Sequence, residues 1–394
     1  MAWERRGSVA IAGIGFSPIE RRTSVPLGQF ARQAVEAACE DCGIEVSDID
    51  GLATYATAPN IGARNQNGVD IINVDFFLSD PRFTNVTWYA QPGLGLIASA
   101  VRDAAHALIS GSCKYALIWR AMYTPPGTYG LYESQTAIGD AQFTAPYGCV
   151  SVIQWHAFGY RRYLELYGSS REEMAALVVS SRNNANRNQH AYFTDRPLTE
   201  EEYLAARMIS DPLCLFDCDV PVTSCVALVM TTSERAGHLR QPPAYLAAIG
   251  QQAVPRRASI HYLLDDHIES GQPLAADLWR QAGLGPSDMA AAELYDGFSP
   301  SVYYWLEAAG FCARGEAHAF ATKDRIGLEG TLPVNTFGGS LSQGRLHGMG
   351  HIAEAALQVS GRAGQRQVSG AGAVCVFDGS PMYRGGGLVL TRGS

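Results

Sequence analysis

Residues 332–351 read Leu-Pro-Val-Asn-Thr-Phe-Gly-Gly-Ser-Leu-Ser-Gln-Gly-Arg-Leu-His-Gly-Met-Gly-His, and the interpretation of the chain begins with this stretch. It begins as an extended segment, passes through a glycine-rich loop and continues into an Ala/Leu pattern typical of a buried helix. Such a loop lets backbone approach a ligand and leaves amide N–H groups at a helix N-terminus, where they can stabilise negative charge on oxygen. Glycine-rich turns from strand to helix also occur for purely structural reasons, so both interpretations stay open here.

Composition indicates a large globular chain. Of the 394 residues 47% are hydrophobic, which is enough for two units that each have a core. A net charge of −8 without a basic cluster disfavours nucleic acid as a partner. No apolar run reaches the roughly 18 residues that a membrane span needs. The N-terminus leads within a few residues into a strand, so we expect no signal peptide and a cytoplasmic location.

The nine cysteines are odd in number and scattered, which favours reduced thiols over a disulfide framework. Cys39 and Cys42 form a C-x-x-C pattern, but they lie in an Ala-rich helical segment with no second pair at zinc spacing. We therefore interpret them as core thiols and expect no bound metal.

One structural unit occurs twice in the chain. Four residues of the first copy have identical partners 240 positions later: Gly43, Ser47, Asp48 and Tyr55 match Gly283, Ser287, Asp288 and Tyr295. Further on, a helix that ends at Gly111 and is followed by a strand has a counterpart that ends at Gly361, 250 positions after Gly111, and is also followed by a strand. A constant spacing over several matched residues indicates an internal duplication.

Both copies alternate strands with helices, which is typical of mixed, largely parallel sheets covered by helices. The predicted strands are 8–15, 51–55, 115–119, 245–250, 291–295 and 373–377, and the predicted helices are 27–42, 96–110, 154–167, 171–186 and 350–360. We divide the chain into halves at 1–240 and 241–394. Residues from about 120 to 215 do not repeat, and we expect this insertion to form a lid or a partner surface.

The order of residues in the glycine-rich stretch resembles the C-terminal motif of the thiolase superfamily, in particular the sterol-carrier-protein-type thiolases and their steroid side-chain aldolase relatives. The resemblance extends over nearly the whole chain. It implies an α/β thiolase fold, in which two duplicated βαβαβ-type units form a five-layered αβαβα core with an inserted loop domain.

The residues of thiolase catalysis are missing. A thiolase needs a nucleophilic cysteine at a helix N-terminus in its first unit, but residues 89–98 contain no Cys, Ser or Thr, and the aldolase relatives likewise have glycine there, as at Gly93. Arg345 occupies the position of a thiolase histidine, where the aldolases have tyrosine, whereas His347 fits the aldolase pattern. The C-terminal thiolase cysteine is absent as well, so no acyl-enzyme is expected.

Tyr295 is the candidate acid or base, since the aldolase relatives also have tyrosine at this place. It ends a buried strand, so its hydroxyl can project at the carboxyl edge of the sheet, where α/β proteins bind ligands. The alternative is a core tyrosine that bonds to a neighbour. Asp296, the next residue, is expected to brace a helix or loop.

These residues support a retro-aldol hypothesis. Tyr295 would exchange the proton, and Arg345 would lower its pKa from about 10. His347, Asn335 and the backbone of the glycine loops, among them Gly338 and Gly339, would stabilise the enolate oxygen. Coenzyme A would enter as part of the substrate, without a separate cofactor. Arginines of the insertion would bind its phosphates, and the candidates are Arg161, Arg162, Arg182 and Arg187.

The resemblance also implies a substrate and partners. The substrate would be a 17-hydroxy steroid side-chain CoA thioester, cleaved to a ketosteroid and a short acyl-CoA such as propionyl-CoA. The chain would form a homodimer through the first-unit sheet and bind two copies of a small OB-fold, zinc-ribbon protein, giving a heterotetramer. Two alternatives remain: an inactive acyl-CoA-binding subunit, favoured by Thr223-Ser224-Cys225 in place of the usual Asp-Gly-Ala, and a CoA-dependent acyltransferase.

Overall fold

The computed structural model describes residues 4–55, 71–93, 96–123, 142–252, 266–382 and 385–393. The strands are β1 (Val9–Phe16), β2 (Gly51–Thr54), β3 (Trp88–Ala90), β4 (Tyr115–Met122), β5 (Met208–Ser210), β6 (Leu213–Cys214), β7 (Ser224–Thr232), β8 (Ala244–Gln251), β9 (Ala291–Leu294), β10 (Ala373–Gly379) and β11 (Gly385–Thr391).

The helices are α1 (Leu27–Cys42), α2 (Val74–Leu78), α3 (Leu96–Ser110), α4 (Val152–Tyr167), α5 (Arg171–Asn186), α6 (Glu200–Leu204), α7 (Ser233–Ala236), α8 (Asp266–Ala282), α9 (Pro300–Ala308), α10 (Ala317–Phe320), α11 (Lys323–Ile326), α12 (Gly339–Ser342) and α13 (Met349–Val359). The predicted division at residues 240 and 241 falls between α7 and β8 and stays a prediction.

The main sheet has the strand order β3-β2-β4-β7-β1-β8-β11-β10-β9. Its two halves meet where β1 pairs with β8, and this antiparallel pairing consists of two residue pairs, Ala10↔Tyr245 and Ile11↔Ala244. β2 runs parallel to β4, and β9 runs parallel to β10, so the carboxyl ends of equivalent strands lie together in each half.

Helices pack on this sheet in layers. α1 covers one face of the first half, where it contacts β1, β7 and β4, while α8 contacts β8 and β11 of the second half. α3 and α13 lie between the halves, since α3 contacts β2, β4, β8 and β11, and α13 contacts β7, β9 and β10. This arrangement confirms the predicted αβαβα fold class.

The local structure of the repeat is the same in both halves. Gly43 and Gly283 end α1 and α8 in the left-handed conformation, with φ of 80° and 65°. A 3₁₀ turn follows each of them, and in each turn an aspartate accepts a backbone N–H bond three residues before it, at 2.9 Å for Asp48 and 2.7 Å for Asp288. The matched residues of the sequence therefore have matched structural roles.

The described part of the insertion packs on the second half. α5 contacts α11 and α12, and Ser181 donates a 2.5 Å hydrogen bond to the Gly338 carbonyl. Residues 124–141 of the predicted lid lie outside the described residues. This part of the insertion thus packs against the glycine-rich stretch.

The cysteines have the predicted character. All nine are free thiols, and Cys39 and Cys42 are buried in α1, where burial raises the pKa of both. The helices within the described ranges are all too short or too polar to cross a bilayer.

Candidate active site

The candidate site lies at the carboxyl ends of β9 and β10. The Tyr295 amide donates to the Phe377 carbonyl at 2.9 Å, and Leu294 pairs with Phe377 in register, so Tyr295 and Asp378 come next to each other on neighbouring strands. Ala291 and Val376 belong to a buried hydrophobic cluster that includes residues of α3 and α13. Because side chains alternate along a strand, Tyr295 lies on the same face as Ala291, and Asp378 lies on the same face as Val376. Tyr295 and Asp378 therefore both face the layer between the two halves.

The first half places a second pair at the equivalent point. Tyr55 follows β2, and the Arg120 guanidinium lies 5.1 Å from the centroid of its ring and donates to its backbone carbonyl. β4 and β10 start 258 positions apart, and the same spacing separates Arg120 from Asp378. The duplication thus aligns Tyr55 with Tyr295, and the cation of Arg120 with the carboxylate of Asp378.

Each charged residue reaches into the other half. Arg120 Nη2 lies 2.9 Å from His347 Nδ1, in the turn before α13. Asp378 Oδ2 accepts a 3.2 Å hydrogen bond from the Ala98 amide, in the first turn of α3. The two halves therefore build a single site at their junction.

Solvent reaches this junction at three side chains. Tyr295 is the only partly exposed residue in the buried run 291–309, and His347 is the only one in the run 332–350. Tyr55 is also partly exposed, and its ring centroid lies 6.2 Å from that of His347. These are the described groups of the junction that a ligand can touch first.

The charge and tautomer of His347 follow from its neighbours. Burial lowers the pKa of His347 well below its usual value, and the cations Arg120 and Arg345 lower it further, so the ring is neutral at neutral pH. A guanidinium can only donate, hence Nδ1 accepts from Arg120 and Nε2 carries the proton. His347 therefore presents an N–H donor.

Arg345 is buried beside Asp219. The distance from its Nε to Asp219 Oδ2 is 3.9 Å, and its backbone amide donates to the Val220 carbonyl at 2.9 Å. Its charge acts on the pKa of both Tyr295 and His347. The structure thus brings together three predicted site residues: Tyr295, Arg345 and His347.

The predicted effect of Arg345 on the pKa of Tyr295 is present, but other groups outweigh it. Arg345 does lower the pKa of Tyr295, but burial and the carboxylate of Asp219 raise it by more, so the pKa lies well above its ordinary value. Tyr295 therefore holds its proton at neutral pH.

Asp296 braces the glycine-rich stretch, as predicted. Its buried carboxylate accepts bonds from the backbone amides of Ser340 (2.6 Å) and Leu341 (3.3 Å) and from His351 Nε2 (3.0 Å). A Cβ atom on Gly339 would lie 1.9 Å from Asp296 Oδ2, so only glycine fits there. This contact positions the backbone beside Tyr295.

Asn335 has a positioning role in the structure. Its amide oxygen accepts from the Leu294 N–H at 2.7 Å, and its amide nitrogen donates to the Leu294 carbonyl at 2.8 Å. The side chain thus continues the edge of β9, and its amide nitrogen, the donor that was expected at the enolate oxygen, bonds to the backbone of Leu294. It holds the strand end from which Tyr295 projects.

The arginines expected at the CoA phosphates have different surroundings. Arg182 is only 4% exposed, and its guanidinium bonds to Ser342 Oγ and the Arg196 carbonyl and stacks on Phe193, so it is an internal brace. Arg187 is exposed and forms a 2.9 Å ion pair with Glu329.

The three glycines expected at the ligand also have different surroundings. Gly338 and Gly339 are buried against Ala185 and Asp296, so their small size serves packing inside the protein. Gly93 is exposed, and a Cβ atom on it would meet nothing within 4 Å. Within the described ranges, no group of three or more His, Cys, Asp or Glu residues is arranged to hold a metal ion.

Arg120, Asp378, Asp219 and Tyr55 were not among the predicted site residues. Tyr55 was recognised only as a repeat match. The spacing of 258 between equivalent strands would have led from Arg120 to Asp378, because a charged residue at the buried end of both strands is unusual.

Comparison with known proteins shows to which class of fold the protein belongs. A family model described as "Thiolase C-terminal domain-like" matches residues 268–390. The structure of acetyl-CoA acetyltransferase from Syntrophomonas wolfei superimposes with a TM-score of 0.65 at 15% identity, covering 98% of this chain and 99% of that one. The protein has the thiolase fold.

More similar proteins show the family within this fold class. The chain is 35% identical to the steroid side-chain-cleaving aldolase of Thermomonospora curvata, over 90% of this chain and 91% of that protein. It is 32% identical to the 17-hydroxy-3-oxo-4-pregnene-20-carboxyl-CoA lyase of Mycobacterium tuberculosis, over 90% and 92%. The structure of the Ltp2–ChsH2(DUF35) aldolase matches with a TM-score of 0.85 and 31% identity over 98% of both chains. The chain belongs to this family of thiolase-fold aldolases.

Proposed function

We propose that the protein is a carbon–carbon lyase that cleaves a β-hydroxyacyl-CoA by a retro-aldol reaction. The observation that carries this proposal is the convergence of Tyr295, Arg345 and His347 at a junction whose helix α3 is preceded by no nucleophile in residues 89–98. By relation to the Mycobacterium tuberculosis lyase, the substrate is a 17-hydroxy steroid side-chain CoA thioester. The products are a ketosteroid and propionyl-CoA.

The reaction needs a group that exchanges protons with the substrate and groups that stabilise the charge of the enolate. Tyr295 takes the proton of the β-hydroxyl group, the oxygen lone pair forms the ketone, and the Cα–Cβ bond breaks. Its electron pair passes to the thioester oxygen as an enolate, which His347 Nε2–H and the Arg345 cation stabilise. Protonation of Cα then releases the short acyl-CoA, and no covalent intermediate forms.

The test is an assay of the purified chain, alone and with its partner, on the 17-hydroxy steroid CoA thioester. We expect equal amounts of ketosteroid and propionyl-CoA by mass spectrometry. Binding of the thioester without cleavage, in the presence of the partner, would instead identify an inactive acyl-CoA-binding subunit. An acyl adduct on the protein would identify an acyltransferase.

We expect replacements of His347 to separate hydrogen bonding from packing. His347→Ala removes the Nε2–H donor and should lower kcat about 10²–10³-fold. His347→Gln can place an amide N–H near the same point and should retain more activity. Steady-state kinetics of both variants check this order, and equal losses would show that the imidazole does not act as a donor.

We also propose the predicted assembly, a homodimer that binds two small OB-fold, zinc-ribbon partners. The match to the Ltp2–ChsH2(DUF35) aldolase supports a partner of this kind. β3 is an edge strand of the first half with Tyr89 63% exposed, which suits pairing between two protomers. Light scattering of the chain with and without co-expressed partner measures both steps, and a monomer in both samples would contradict the proposal.

Exposed Arg187 remains the candidate for binding the CoA phosphates, because its partner Glu329 is itself exposed and can be replaced by an anion. Arg161 forms a similar surface pair with Asp211.

A further inference from the structure

We propose that Asp378 is the proton acceptor behind Tyr295: when the Tyr295 oxygen takes the substrate's hydroxyl proton, the phenol proton passes to Asp378. This inference rests on the proposed lyase function. It addresses a difficulty of that function, because a tyrosine that keeps its proton at neutral pH can act as a base only if that proton leaves at the same time.

The position of Asp378 suits this role. Tyr295 and Asp378 occupy adjacent places at the ends of two parallel strands, which lie about 4.8 Å apart, and both side chains face the junction. Tyr295 is partly exposed and can meet a ligand, whereas Asp378 is 0% exposed. The carboxylate is therefore placed to exchange protons with the phenol and not with water.

The two oxygens of Asp378 have different surroundings. Oδ2 accepts from the Ala98 amide, but Oδ1 is buried and has no hydrogen-bond partner among the residues that the structure describes. A Cβ atom on Gly348 would lie 2.2 Å from Oδ1, so the glycine beside His347 makes room for this oxygen. Burying a carboxylate oxygen without a donor is unfavourable for folding, and such groups occur where function needs them.

The electrostatics match a proton acceptor that becomes ionised near pH 8. Burial raises the pKa of Asp378 to about 8, while the backbone amides of Ala98, Ile97 and Gly379 and the Arg120 cation oppose the rise. The other groups around it titrate elsewhere: the pKa of His347 is lowered well below 6.5, that of Tyr295 is raised well above 10, and that of Arg120 is lowered to about 10. A kinetic pKa near 8 would therefore report on Asp378.

The proton balance closes without a further reactant. The hydroxyl proton moves to Tyr295 as the Tyr295 proton moves to Asp378, and the Cα–Cβ electron pair becomes the enolate. Asp378 then returns its proton through Tyr295 to Cα, which restores both residues. The proton lost from the substrate oxygen is thus matched by the one gained at carbon, and nothing is oxidised or reduced.

The test is the pH dependence of kcat/KM for the wild type and for Asp378→Asn in the complex with the partner. In the wild type we expect kcat/KM to rise with pH and level off above about 8. In D378N we expect a loss of at least about 100-fold at pH 7.5, with residual activity that keeps rising toward the pKa of Tyr295. A purely structural role would lower activity and leave the shape of the profile unchanged.

Asp217→Asn is the matched control. Asp217 is also 0% exposed, but its carboxylate accepts from Tyr203, Ser299 and the Cys214 amide. We expect it to lower stability without changing the shape of the pH profile.

Three results would overturn the role of Asp378: a D378N activity within about threefold of the wild type, an unchanged profile in D378N, or a wild-type profile with no inflection near 8. The last measurement needs no variant and decides the question even if D378N does not fold. Absence of cleavage by the wild type would instead refute the lyase function itself.

Discussion

Tyr295→Phe is expected to reduce cleavage about 10²–10⁴-fold, the range for loss of a general acid or base, while acyl-CoA binding stays within a few fold of the wild type. The change removes one oxygen and keeps the ring that packs against Gly297 and lies 5.8 Å from His351, centroid to centroid. Turnover measured by mass spectrometry and affinity measured by calorimetry separate the two effects.

Tyr303→Phe is the matched control for this experiment. Tyr303 is buried, burial raises its pKa as it raises that of Tyr295, and its hydroxyl has no hydrogen-bond partner among the described residues. Removal of that hydroxyl should leave both turnover and affinity unchanged. If Tyr295→Phe were as active as Tyr303→Phe, the phenol would not be part of the chemistry.

Gly339→Ala is expected to destabilise the protein by about 3 kcal/mol or more. The new Cβ atom would overlap the Asp296 carboxylate, and φ of 59° adds a cost for any residue with a side chain. Asp296 cannot move without losing its bonds to α12 and His351. Chemical denaturation measures the loss, and activity should fall because the same contact positions Tyr295.

Gly364→Ala isolates the backbone part of this effect. Gly364 has nearly the same φ of 60°, but a Cβ atom there would meet nothing within 4 Å. We expect a loss of only about 1 kcal/mol, the cost of the left-handed conformation. Equal losses of stability in the two variants would show that the overlap with Asp296 adds nothing to the cost of the left-handed conformation.

Local sequence signals predicted much of the fold. α1, α3 and α5 have the predicted bounds, because an amphipathic pattern ended by glycine at 43 and 111, or begun by the capping box of Ser170, determines a helix from nearby residues. β7 and β11 were not predicted. β11 begins with three glycines, which indicate a loop, and only its pairing with β8 and β10 makes it a strand.

The site was predictable only where a motif carried it. Tyr295, Arg345 and His347 belong to continuous motifs, whereas Arg120 and Asp378 gain their meaning from contacts with residues more than 200 positions away. The pKa of Tyr295 could not be predicted for the same reason, since it depends on burial and on Asp219 from another segment. Arg182 was misplaced because its helix pattern does not reveal that α12 and Phe193 cover it.

The exchange of Arg120 and Asp378 across the junction affects how the whole chain unfolds. Arg120 of the first half bonds to His347 of the second half, and Asp378 of the second half accepts from Ala98 of the first half, so opening the junction would break a buried hydrogen bond of each residue. Partial unfolding of one half alone is therefore disfavoured. Although built from two similar units, the molecule should melt in one cooperative transition, with the amides around Ala98 and His347 among the slowest to exchange with deuterium.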